Sequence, residues 1–252
     1  TMISQLVSVI IELVIFLNPK EVIYFHRGIW RLKRDITMRA LGIGTAPFLM
    51  HMAACFVVIV LNNQLKRYGG DMAIATYGIT NRFMFFFAMV VMGLNQGMQP
   101  IVGYNYGAKL FDRMTRALKL TAMCATCVMG VLWLFGLIWP EGFIRLFTHD
   151  ELLIAQSVAP ARVMLCTMVM VGFPMVVGNF YTSIGMSGKA IFLSLTRQVI
   201  FLIPCILLMP LLFQTLNFTP IWGVWWSLPL CDALAAVLAA IILNRDMRKF
   251  RV

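Results

Sequence analysis

Asp232 is the residue in this sequence best placed to do chemistry. It stands eleven residues from each end of an apolar run, 221–243. At 1.5 Å per helical residue that is about 16 Å from either end, near the centre of a bilayer. An ionisable group at such depth is costly and is by default a candidate for function. It could carry a proton, bind a sodium ion or face a cationic substrate; the alternative is a carboxyl that fixes helix packing. Pro229 lacks an N–H and clashes with the carbonyl of Trp225, so the sequence predicts a kink beside the acid. Glu12 is a second acid in an apolar run, able to serve the same chemistry or to reach an interface. His51 sits mid-run between Met50 and Met52, as a cavity group or a hydrogen-bonded packing residue. Arg82 follows Asn81 near the end of its run, where it can snorkel or face a cavity.

The stretch GLNQGMQPIVGYNYGAK, residues 93–109, is too polar for lipid. Asn95, Gln96 and Gln99 are expensive against hydrocarbon and predict a surface that meets protein or water. Gly93 and Gly97 make a GxxxG face for the close approach of another helix. Pro100 leaves the carbonyl of Gln96 without its donor, a break tolerated at depth only against protein or a water-filled cavity. Gly103 and Gly107 predict a turn. Lys109, Arg113 and Arg116 then share one face of a following helix, suited to anionic headgroups. Methionine and phenylalanine crowd the preceding segment, which is compatible with lipid-facing packing or with an adaptable cavity.

Enzyme chemistry finds no support. GYNYGAKL lacks the spacing of a phosphate-binding loop, and no HExxH surrounds His26, His51 or His149. Cys124 and Cys127 form a lone CxxC with no second pair, so the cysteines read as packing residues rather than a metal or redox centre. The expectation is a protein without cofactor or metal, and not an enzyme.

The elements that carry these residues are membrane spans. The chain is 61% hydrophobic and 12% charged, against about 25% charged for soluble domains. Its net charge of +11 does not point to nucleic acid, because the cations lie between apolar runs. Seven runs approach the roughly 20 residues of a spanning helix: 1–17, 40–61, 80–102, 120–139, 163–186, 196–213 and 221–243. They do not alternate as barrel strands would, so the fold class is an all-α polytopic membrane bundle. With seven spans, sixteen of the 21 lysines and arginines fall on one side, including Arg197 in the connection 187–197. The positive-inside rule places that side and the C-terminus in the cytoplasm. The abrupt start at Thr1, inside an apolar run, reads as entry partway through a helix.

The 93–109 stretch resembles the end of the eighth helix of multidrug and toxic compound extrusion (MATE) transporters, especially their DinF-like bacterial branch. TMISQ resembles the start of that family's sixth helix. SLTRQVIFLIPCILLMPLLF is similar to its eleventh, and GVWWSLPLCDALAAVLAAIILNRDMRKF to its twelfth, Pro229 and Asp232 included. The resemblance implies twelve helices in two six-helix lobes around a central cavity. Residues 1–17 would then be the last helix of an N-terminal lobe, 18–39 a cytoplasmic inter-lobe linker, and 40–252 the C-terminal lobe. It also implies efflux of small organic cations in exchange for H+ or Na+ by alternating access, in a bacterial inner membrane. The partners would be the bilayer, the substrates and the N-terminal lobe. The family's acids on its first helix have no counterpart here, and runs 40–61 and 163–186 contain no Asp or Glu. Asp232 and the cluster Asn95, Gln96 and Gln99 are therefore the candidates for cavity or gating roles, with Pro100 and Pro229 as helix breaks. The alternatives are a lipid-linked precursor flippase of the same superfamily, disfavoured by few arginines at depth, and an inactive truncated lobe.

Overall fold

A computed structural model describes residues 2–17 and 33–249. The chain divides into two units, Thr1–Thr45 and Ala46–Val252. In the first, α1 (Met2–Leu17) exposes apolar side chains along its described length. At 16 residues it spans about 24 Å, slightly short of the ~30 Å hydrocarbon core. Most of the expected linker, 18–32, lies outside the described residues. Helix α2 (Arg34–Gly107) starts inside the remainder of that linker and runs into the second unit.

The apolar stretch Phe48–Gly107 is 60 residues long, about 90 Å if straight and three times the depth of a bilayer core. One residue divides it. Gly70 adopts φ 67° and ψ −163°, a conformation open essentially to glycine alone. Leu61 and Leu65 before the break and Ala73 after it enter one apolar cluster with Met164, Ile206, Val224 and Trp225. Each arm exceeds the roughly 20 residues a crossing needs. The break expected at Pro100 does not occur, because helix continues through it to Gly107. The turn that follows is made by Lys109, in the left-handed region at φ 58°. Gly103 stays helical and serves close packing instead: a Cβ there would lie 3.3 Å from the carbonyl oxygen of Ser183.

Helix α3 (Phe111–Ile138) is followed by the short α4 (Pro140–Arg145). The expected run 163–186 is a bent pair, α5 (Glu151–Leu165) and α6 (Met168–Ser183), at 49° to one another. Tight bonds from Cys166 N–H to Val163 and from Met170 N–H to Thr167 close the two helices at the bend. Helix α7 (Ser187–Leu195) runs into a π-helical turn, Thr196–Leu202, and then α8 (Ile203–Thr215). Pro204 supplies the reason for the wide turn. It cannot bond the carbonyl of Ile200 and clashes with it in a regular helix, and the extra residue per turn relieves that clash. Helix α9 (Pro220–Lys249) passes through Pro229 as one helix, so the expected kink does not interrupt it.

Packing relies on small residues, as lipid-embedded helices require. Helix α3 packs most extensively on α6, and α8 on α9. A Cβ on Gly172 of α6 would lie 3.1 Å from the Ala125 carbonyl oxygen of α3. One on Gly223 of α9 would lie 2.6 Å from the backbone of Met209 in α8.

Candidate functional site

Asp232 is 8% exposed, and its carboxylate is occupied. Arg197 donates to Oδ1 from Nε at 2.9 Å and from Nη2 at 2.6 Å. Arg197 therefore belongs to the π-helical turn within a span, rather than to the connection where the sequence placed it. The pair joins the turn to α9. Beside Arg197 in the same turn, Thr196 Oγ1 and Gln198 Oε1 are buried with no hydrogen-bond partner among the described residues. Arg197 was legible only indirectly, as a cation two residues into a run whose neighbour holds an acid that must be neutralised.

The three amides of α2 part company. Gln99 donates to Asn179 Oδ1 of α6 at 3.1 Å, and Asn179 in turn donates to the Met175 carbonyl at 3.0 Å. Asn95 is 1% exposed and, among the described residues, neither polar atom of its amide is paired. Gln96 is exposed on another face. Higher on the buried side, Thr76 bonds Ser157 of α5 at 2.9 Å.

The open side of α2 is the more unusual surface. Arg82, Phe85, Met89, Gly93, Gln96 and Pro100 recur at helical spacing and are all exposed. Gly93 and Gly97 meet nothing within 4 Å, so the close helix contact expected of them is absent among the described residues. By contrast, the open face of α9 carries Trp226, Leu230, Leu234, Val237 and Ile241, apolar throughout as a lipid-facing helix should be. On α2, Arg82 and Gln96 suit a protein or aqueous neighbour, while Phe85 and Met89 on the same face are apolar.

His51 and Glu12 are exposed, and Glu12 lies in the first unit. His51 makes no hydrogen bond among the described residues. No group of three or more His, Cys, Asp or Glu stands close enough to hold a metal among the described residues. A second buried acid, missed from sequence because it stands among the basic residues of the tail, is Asp246. Tyr181 donates to its Oδ2 at 2.8 Å, and Lys189 forms an ion pair with the same oxygen while lying 5.3 Å from the Tyr181 ring. These groups tie the ends of α6, α7 and α9. Between spans, Arg145 bridges Glu141 and Glu151 at 3.0 Å each. The hydrogen bond to Glu141, aided by the charge of Glu151, raises its pKa above the usual value. All three side chains are at least half exposed, so the contacts add little stability.

The MatE family's sequence profile matches residues 47–207. The multidrug export protein MepA of Staphylococcus aureus (strain bovine RF122 / ET3-1) is 25% identical over 242 residues, covering 96% of this chain and 52% of MepA. The MepA of Staphylococcus saprophyticus is 24% identical over the same length. This chain thus spans about half the length of the curated relatives it matches. Among solved structures, the MATE multidrug transporter DinF-BH superposes with a TM-score of 0.82 at 33% identity, over 100% of this chain and 55% of that one. An outward-facing MATE transporter of the MOP superfamily matches at 0.82 and an inward-facing one at 0.81, each 16% identical, covering 98% and 97% of this chain and 54% and 55% of theirs. With a profile match over most of its length and a fold that is helical among the described residues and matches a MATE transporter at 33% identity, this multi-pass membrane chain belongs to the MatE family.

Proposed function

We propose that this chain works as one lobe of a secondary multidrug efflux antiporter, exporting small organic cations in exchange for H+ or Na+. Residues 40–252 act as the C-terminal six-helix lobe, 1–17 as the last helix of an N-terminal lobe, and 18–39 as the linker. The observation that carries this reading is the open face of α2 with Arg82, Gln96, Gly93 and Gly97. Arg82 and Gln96 on it are costly against lipid, beside the apolar Phe85 and Met89 of the same face, and the relatives are about twice as long as this chain. A second lobe and the substrate path between lobes account for it. The basic side, with the C-terminus, faces the cytoplasm of a bacterial inner membrane. Asp232 acts through Arg197 as a positioning group rather than as an open cavity acid.

Everted vesicles carrying the protein together with an N-terminal lobe test the proposal. Ethidium should accumulate when a proton or sodium gradient is imposed, and residues 40–252 alone should accumulate none. Movement of a lipid-linked sugar with no ethidium uptake would replace efflux by a flippase activity.

A further inference from the structure

A cleft of about 250 Å³ opens between α3, α6 and α9. Two cations from different helices converge on it, Lys119 of α3 and Arg248 of α9, together with Thr115 and Asn244. Lys119, Arg248 and Asn244 are exposed, whereas Thr115 and the apolar lining residues Phe173 and Leu243 are partly buried. The cleft thus has a polar, cationic mouth over an apolar floor. Neither cation makes an ion pair among the described residues. The nearest acid along α9, Asp246, is engaged by Tyr181 and Lys189. Next to Lys119 along α3 the surface turns apolar, with Leu120 57% and Met123 61% exposed.

We propose that this cleft binds an anionic phospholipid. The phosphate sits between Lys119 and Arg248, the Thr115 hydroxyl and Asn244 amide donate to its oxygens, and an acyl chain follows Leu120 and Met123. Charge complementarity selects the headgroup, and basic pockets between spanning helices on the cytoplasmic side are suited to such lipids. The apolar floor and flank select a lipid over a soluble anion, because a free phosphate gains nothing from them. The site is independent of the transport reading: it needs only that the chain sits in a membrane.

Native mass spectrometry of the full protein in mixed phosphatidylglycerol and phosphatidylcholine tests it. The protein should retain phosphatidylglycerol preferentially. Lys119→Gln and Arg248→Gln should each lower the retained phosphatidylglycerol-to-phosphatidylcholine ratio about fivefold. Charge-conserving Lys119→Arg with Arg248→Lys should keep the preference, which separates lost recognition from lost fold. Lys66→Gln with Arg67→Gln, exposed and outside the cleft, should leave the ratio nearly unchanged. An unchanged ratio in the double glutamine variant would overturn the proposal. So would an equal loss in the Lys66 and Arg67 control, or displacement of the lipid by inorganic phosphate.

Discussion

Arg197 and Asp232 neutralise one another at a depth where neither would be stable alone. Both bonds from the guanidinium reach Oδ1, so removing the arginine leaves a buried, uncompensated carboxylate. Arg197→Met should therefore destabilise the folded protein by about 3–5 kcal/mol, whereas Arg197→Met with Asp232→Leu should recover most of that loss. Thermal unfolding in detergent would measure both; equal losses in the single and double variants would show that the pair is not what matters there. A positioning role also fixes the pH behaviour of the conservative variant. Asp232→Asn should lower efflux at every pH without moving the pH profile, and a shifted profile would make Asp232 the proton carrier instead. The second buried acid behaves similarly on a smaller scale. Tyr181→Phe removes one hydrogen bond to the charged Asp246 and should cost about 1.5–3 kcal/mol in the same unfolding measurement.

The elements show where small residues act through contact and where they do not. At Gly223 an added methyl would meet the backbone of Met209 at 2.6 Å, so Gly223→Ala should lower the melting temperature. At Gly97 nothing lies within 4 Å, and Gly97→Ala should hold or raise stability by about 1 kcal/mol through helix propensity. Gly97→Leu should also leave the lobe folded. If the α2 face docks against a second lobe, however, that bulk should reduce transport, and full transport would show the face to be free. Hydropathy located the apolar runs, but among the described residues four helices, or five with the bent pair, are long and apolar enough to cross a membrane, against the seven runs expected. Runs 40–61 and 80–102 belong to one helix broken at Gly70, and the first run forms a short helix. Pairings between helices were not legible in the same way. The counting of cations by connection put Arg197 outside the membrane because its partner is 35 residues away. The proline rule placed a break at Pro100, yet the helix breaks at Gly70, and α2 continues through Pro100 as α9 continues through the buried Pro229; membrane helices tolerate proline where neighbouring groups re-satisfy the freed carbonyl. Gln99 and Asn179 were both visible as polar groups in apolar runs, but only the packing of α2 on α6 joins them.

For the whole molecule, the chain spans about half the length of the relatives it matches, and the proposed reading sets the open face of α2 against a second lobe. The lobe packs internally through Gly172, Gly223 and two apolar clusters, while Arg82 and Gln96 stand exposed on α2 beside Phe85 and Met89. A reporter fused after Val252 should place the C-terminus: green fluorescent protein should fluoresce there and alkaline phosphatase should be inactive, as a cytoplasmic end requires. The central claim is that the Arg82 and Gln96 face of α2 borders the substrate path. In an assembled, transport-active protein stripped of its six native cysteines, single cysteines at Gln96 and Leu234 can be labelled with a thiol reagent with and without ethidium. The account predicts that the Gln96 site is labelled and that ethidium protects it, while the lipid-facing Leu234 site is unaffected by ethidium. Equal labelling at Gln96 with and without ethidium, in protein that still transports it, would contradict the account.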